Sequence, residues 1–336
     1  MDLGVLAGRV QAASRAQDPY VRVTRIRPLS GGASSLTFVA EVDGISGVDG
    51  PIVVKVAPPG LPAVRHRDVL RQARLLKALA DHPKIVVPAV LAEDPGDPPD
   101  IPPFFTMTLL PGDSVEPHIY PADVLPSPDE LRRRALQASR ILAELHRLDL
   151  TERGLGSERA VSLTEEVERW VRLIGTADTG LQAETGTVVA ALRDTSPAPA
   201  EHPVLQHGDY RLGNMLAQGT RIEGVIDWEI WAVGDPRVDL AWFLSHADPE
   251  HHASAICDAP GMPRPPVLLE EYERAVGGAV SDLEWFLALA QFKMAAVTSL
   301  MVKLNRRAKR PDPEVEARSA QIQQMTAQAL TYLGVV

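Results

Sequence analysis

The chain has 336 residues, 45% of them hydrophobic and 23% charged, with a formal net charge of -10. That length suits two lobes with a sizeable buried core. The negative average field repels a nucleic-acid backbone, and no run of about 20 uninterrupted apolar residues offers a membrane span.

A lone cysteine, Cys257, excludes an intrachain disulfide. The N-terminal stretch lacks the basic start and long apolar run of a secretion signal, so a cytoplasmic setting is expected. The 29 prolines fall between periodic segments and read as loop punctuation.

Residues 3–15 are predicted to form a short amphipathic helix. Three β-branched-rich runs follow at 21–28 (VRVTRIRP), 36–42 (LTFVAEV) and 52–56 (IVVKV), each bounded by Gly, Ser or Asp. Residues 44–50 make a hairpin connection. Over 63–80 the period turns helical, with Val69, Ala73, Leu76 and Leu79 on one face. Strands are predicted again at 85–91 and 104–110. Five strands and one inserted helix make a small α+β lobe over residues 1–110.

Past Pro111-Gly112 the character changes. Ser127 followed by Pro128, Asp129 and Glu130 is a helix start, with acids at the positive end of the dipole. This helix is predicted to run to about residue 149, and further helices cover 162–175, 181–193, 236–246, 266–276, 281–308 and 313–333. Between them, 204–216 is a short strand entering a loop and 221–227 is another strand. The second lobe, 113–336, is therefore mainly helical, with a small β insertion that carries the polar residues.

That insertion reads VLQHGDYRLGNML, then RIEGVIDWE. One apolar strand delivers His207-Gly208-Asp209, Asn214 follows, and a second strand delivers Asp227. Phosphoryl transfer needs such a set. A carboxylate must orient the attacking hydroxyl and take its proton, and oxygen ligands must hold Mg²⁺ against a triphosphate. Asp209 suits the first task; Asn214 and Asp227 suit the second.

The string HGDYRLGN, with IDWE and GDPRVDLA after it, resembles the aminoglycoside/choline-type phosphotransferase family, whose catalytic loop is HGDxxxxN. It also resembles the phosphotransferase-like domains associated with acyl-CoA dehydrogenases. The resemblance covers nearly the whole chain. It implies a protein-kinase-like two-lobed fold, an antiparallel β-sheet lobe before a helical one. It implies a catalytic base at Asp209, Mg²⁺ ligands at Asn214 and Asp227, and ATP or GTP as phosphoryl donor. The acceptor would be a small-molecule hydroxyl: a hydroxyacyl thioester, an aminoglycoside or a macrolide.

Other positions follow from the same resemblance. Lys55, inside an apolar strand, is the expected phosphate-binding lysine, since an ammonium there is costly unless it meets an anion. Gly31, Gly32, Ser34 and Ser35 lie between the first two strands, where small residues let backbone N–H groups approach phosphate. Residues 106–112 resemble the hinge, with the Thr108 carbonyl and Leu110 N–H as partners for the base and Met107 packing behind it. Arg211 has two readings, a guanidinium near the γ-phosphate or an Arg that holds the loop. His207 reads as a packed loop anchor and His146 as core. Asp239 is the candidate acceptor of catalytic-loop N–H bonds, with Asp235 as a helix cap. Trp231 and Trp242 line an acceptor pocket or pack in the core.

One departure stands out. The family places a Glu where this chain has Gln72, which removes the usual ion pair to the lysine; Asp68, one turn earlier, is the candidate substitute. The departure sustains a second reading, a catalytically impaired nucleotide-binding or scaffold protein. Asp227-Trp228-Glu229 also lacks the glycine of a switchable metal loop. A constitutively arranged site is expected.

Overall fold

The computed structural model describes residues 2–29, 36–62, 64, 67–182 and 184–335. Strands β1 (Arg22–Pro28), β2 (Leu36–Asp43), β3 (Ile52–Val56), β4 (Val90–Asp94) and β5 (Phe104–Thr108) form one antiparallel sheet, in the order β1-β2-β3-β5-β4. Helix α1 (Leu3–Arg15) covers one face, setting Leu6 and Val10 against Phe38, Val54 and Phe104. Helix α2 (Val69–Leu79) covers the other with Val69, Ala73, Leu76 and Leu79, in one cluster with Phe105. Neighbours on a strand point to opposite faces, so Phe104 serves α1 and Phe105 serves α2. Lys55 is paired with Phe105 across β3 and β5, and so rises on the α2 face, toward the helical lobe.

The strand expected at 85–91 lies later, at β4. Pro88 cannot donate to a ladder and delays the pairing. The preceding segment serves the other lobe instead, where the Val86 carbonyl accepts from Val225 N–H at 2.9 Å. Helix α2 starts at Val69, after the cap Asp68, so the expected helix from residue 63 is shorter.

The helical lobe opens with α3 (Pro128–His146), capped reciprocally by Ser127 and Glu130. Next come α4 (Leu163–Ile174), α5 (Thr185–Asp194), β6 (Val204–Gln206), β7 (Met215–Gln218), β8 (Arg221–Val225) and β9 (Ala232–Gly234). β6 pairs with β9, and β7 with β8. The last elements are α6 (Pro236–His246), α7 (Pro265–Val276), α8 (Leu283–Arg306), α9 (Pro313–Ala317) and α10 (Ser319–Tyr332). The single helix expected over 313–333 is thus two pieces.

Helix α6 is buried from Arg237 to His246 because it sits between two cores. Leu240, Phe243 and Leu244 face the cluster shared with α3 and α7, whereas Val238, Ala241 and Trp242 face that of α4, α5, α8 and α10. Helix α8 is long and apolar enough to cross a membrane, yet 78% of its most apolar window is buried inside the protein. It is the core helix of this lobe.

Two histidines far from the sheet are almost enclosed, His146 at 7% and His252 at 5% exposure. Burial pushes the first down to about 3 and the second to about 4. Both stay neutral in the folded protein while the unfolded chain protonates them below about 6.5. The unfolded state then binds more protons, so stability falls as pH drops from 6.5 toward 4, by up to about 1.4 kcal/mol per pH unit for each histidine. Melting temperature followed over that range should show the fall. The variant His252→Asn, which keeps an acceptor for Ser254 N–H, should shallow the slope by one group; an unchanged slope would contradict this account.

Candidate active site

β6 ends at Gln206 and the chain turns through His207, Gly208 and Asp209. Gly208 takes φ +86, and a Cβ there would stand 2.5 Å from the Ile230 carbonyl oxygen, so only glycine fits the turn. The turn is held from beneath by Asp239, in the first turn of α6. Its carboxylate is fully buried and accepts His207 N–H at 2.5 Å and Gly208 N–H at 2.9 Å. From the other side Lys293, on α8, donates its Nζ to the Gly208 carbonyl and lies 3.7 Å from the centre of the Trp242 ring. Burial pushes Lys293 down to about 8, so it still carries its charge at neutral pH.

This loop aims Asp209. Its Oδ1 accepts from Trp242 Nε1 at 2.8 Å and from Arg211 Nε at 3.2 Å, and its Oδ2 accepts from Asn214 Nδ2 at 2.7 Å. Burial alone would raise this carboxyl, but the charges of Arg211 and then Lys293 outweigh it and hold it down at about 2. Arg211 also donates to the buried carboxylate of Glu116. Of its two readings, these ion pairs favour loop holding.

Asp227 is brought alongside through Ile226. The Ile226 N–H donates to the Asn214 carbonyl at 2.9 Å, and its carbonyl accepts from His207 Nε2 at 2.9 Å. His207 Nδ1 in turn accepts Asp209 N–H at 3.2 Å. Burial lowers the His207 pKa, in keeping with this neutral tautomer. Asp227 itself adopts φ 64, a left-handed conformation that Asp tolerates better than most residues, and its side chain stays 44% exposed.

Lys55 reaches across from the sheet. Its Nζ donates to Asp227 Oδ1 at 2.9 Å and to Glu229 Oε1 at 2.6 Å. Burial would depress this ammonium, but the two carboxylates more than offset that and leave its pKa above the ordinary value. Lys55, Asp209, Asn214 and Asp227 therefore converge. Asp68 does not join them: it caps α2, accepting Leu70 and Arg71 N–H at 3.1 Å each. The expectation that Asp68 replaces the missing acid is overturned. Gln72 is buried with its Nε2 unpaired.

At the other end of the sheet, Thr108 ends β5, its N–H donating to the Ala89 carbonyl and its Oγ1 accepting Ala89 N–H, both at 2.9 Å. Met107 is half-buried against the α2 cluster, and Leu110 lies over Gly224, where an added Cβ would meet its Cδ1 at 2.3 Å. Gly31, Gly32, Ser34 and Ser35 lie outside the described residues.

Sequence reading missed Glu229, Glu116 and Lys293, and placed Trp242 only loosely. Lys293 carries the signal that singled out Lys55, a cation in an apolar run (AQFKMAAV). Glu229 stood inside the quoted motif, but nothing linear ties it to Lys55.

Among the described residues no group of three His, Cys, Asp or Glu side chains gathers to hold a metal ion. Asn214 and Asp227 offer hard oxygen donors beside an accessible edge, which fits Mg²⁺ only if phosphate and water oxygens complete the shell.

Residues 25–286 match the model of the phosphotransferase enzyme family. The chain belongs to that family. Probable acyl-CoA dehydrogenase IBR3 of Arabidopsis thaliana is 27% identical over 79% of the chain, and acyl-CoA dehydrogenase family member 10 of Mus musculus is 27% identical over 74%. The chain spans 34% and 24% of their lengths. In fold, this phosphotransferase is similar to a Ralstonia eutropha protein assigned to the aminoglycoside phosphotransferases, with TM-score 0.74, 19% identity and coverage of 99% of this chain and 98% of that one. It is similar also to APH(2")-IIIa in complex with GDP and kanamycin (TM-score 0.63, 16% identity, 95% and 98% covered) and to macrolide 2'-phosphotransferase MphH of Brachybacterium faecium (0.53, 20%, 94% and 97%). The kinase-like fold is thereby established.

Removing the Asp239 carboxylate strands two buried N–H groups at once. Asp239→Ala is expected to cost about 3 kcal/mol or more, since each orphaned donor costs about 1–3 kcal/mol. Urea denaturation measures this; a loss below about 1 kcal/mol would show that the loop has other support.

Proposed function

We propose that the chain transfers the γ-phosphoryl group of ATP or GTP to a hydroxyl of a small molecule, with Mg²⁺ as cofactor. The observation that carries this is the convergence of Lys55, Asp209, Asn214 and Asp227 through one hydrogen-bonded set. Asp209 orients the acceptor hydroxyl and receives its proton. Lys55 holds donor phosphate oxygens. The Asn214 Oδ1 and the Asp227 carboxylate hold Mg²⁺, which when bound neutralises charge on the triphosphate. Arg211 keeps Asp209 in place. No covalent enzyme intermediate is needed, because positioning and charge supply the rate.

For the acceptor we favour a hydroxyacyl thioester over a polycationic aminoglycoside. Relatives of this chain bear acyl-CoA dehydrogenase names. The buried acid beside Asp209, Glu116, is already engaged by Arg211. Beside Asp209 stand the rings of Trp242, which bonds its carboxylate, and His246, 4.4 Å apart, with His252 5.1 Å beyond. Burial holds both imidazoles well below their usual pKa, so they are neutral. Polycations need free carboxylates.

The test is nucleoside diphosphate release over a panel of hydroxyacyl thioesters, aminoglycosides and macrolides. Turnover should need a divalent cation and stop with EDTA. Asp209→Asn should lower kcat by about 100-fold or more while nucleotide Kd changes by less than about 3-fold, as for loss of a general base. Undiminished turnover in Asp209→Asn would overturn the assignment. Nucleotide binding without turnover on any acceptor would favour the scaffold reading.

A further inference from the structure

Lys55 raises a question that the catalytic set does not answer. In the proposed reaction Asp227 is needed by Mg²⁺, yet here it is one of the two carboxylates on the ammonium. Three N–H groups on Nζ are available, and two are engaged. If Asp227 turned to the cation with no other acid present, a lysine in a fully buried strand would lose its counter-charge. The second acid, Glu229, is itself buried, with 7% side-chain exposure against 44% for Asp227. One carboxylate is thus accessible and the other enclosed with the lysine.

The segment carrying Glu229 is fixed from α2. Arg71 donates from a guanidinium N to the Trp231 carbonyl at 3.0 Å and stacks 3.5 Å from the centre of the Trp231 ring. Its other N holds Glu158 of the helical lobe at 2.9 Å. The neighbouring Gln72 contributes no charge. Helix α2 therefore reaches the site with a guanidinium on the 227–231 turn.

We propose that Glu229 is the positioning residue for Lys55: it holds the ammonium toward the donor phosphates and leaves Asp227 for the cation. Arg71 fixes the turn from which Glu229 acts. The division of labour rests on the phosphotransferase reading above. It makes Glu229 a partner of the lysine and not a metal ligand.

Nucleotide binding by calorimetry, with Mg²⁺ and with EDTA, separates the roles. Glu229→Gln should weaken ATP or GTP binding by about 10-fold to 100-fold in both conditions, the loss expected when a charged hydrogen-bonded partner goes. Asp227→Asn should weaken binding mainly where Mg²⁺ is present. Asp68→Asn, which keeps the helix cap and removes the charge, should bind as wild type does. In the Glu229→Gln background, Gln72→Glu should restore part of the affinity, by returning an acid to the helix on the face where Lys55 rises. A second readout needs no nucleotide: a double-mutant cycle of Lys55→Met with Glu229→Gln in urea denaturation should show coupling greater than that of Lys55→Met with Asp227→Asn.

Weakening by Glu229→Gln only with Mg²⁺ would make Glu229 a metal ligand and overturn the inference. Wild-type affinity in Glu229→Gln, or a cycle without coupling, would overturn it too. These failures leave the phosphotransferase reading intact. A wild-type protein that binds no nucleotide would instead bring down that reading, and this inference with it.

Discussion

Asp239 is the constraint on which the site depends. A carboxylate in the core is tolerated only where donors meet it, and here the donors are two successive backbone N–H groups, those of His207 and Gly208. Fixing two adjacent peptides fixes the plane of the turn, and with it the direction of Asp209. Lys293 grips the far side of the same turn through the Gly208 carbonyl. A buried acid and a buried base thus enclose one loop, each compensating the other's charge. Both come from helices that cannot shift independently, because α6 lies between two cores and α8 fills one of them. Precision at Asp209 follows from packing well away from it.

A second network joins the lobes. Lys55 contacts Asp227 and Glu229, Arg71 spans Trp231 and Glu158, and Arg153 reaches back to the Ala78 carbonyl and to Asp81. Exposed ion pairs contribute little one at a time. The Lys55–Glu229 pair differs, since both groups are enclosed and separating them would break a buried, hydrogen-bonded ion pair. The sheet is therefore joined to the helical lobe through the residues that form the site. Only eight residues separate Asp227 from the start of α6 at Pro236, too few for a long mobile segment between them.

What could be read along the chain was what lies along the chain. Periodicity located α1, β1, β2, β3 and most helices, because burial of one face writes a period into neighbouring residues. The Asp209–Asn214 loop and Asp227 were legible because they sit in one short stretch, flanked by apolar strands. Three-residue β9 has no room for a pattern, and β4 was displaced by Pro88 in a run that otherwise looks like strand. Contacts such as Lys55 to Glu229 span 174 positions and leave no local trace. Gln72 looked like a defect because the helix was expected to supply the acid. The acid stands instead in the loop after Asp227, where it had been read only as the absence of glycine.

The electrostatics of Asp209 bear on how the proposed transfer proceeds. Neighbouring cations hold its carboxyl at about 2, which keeps it ionised across the neutral range but makes it a weak base. Such a group cannot strip a proton from an alcohol before bonding to phosphorus begins. It can orient the hydroxyl and accept the proton once the new bond has made it acidic. A loose phosphoryl-transfer transition state asks for that order, with little demand on the nucleophile until late in the step. The hydrogen bonds from Arg211, Asn214 and Trp242 that fix the Asp209 oxygens lower its basicity and sharpen its direction. In this chemistry direction is the scarcer requirement, and the fold is arranged around supplying it.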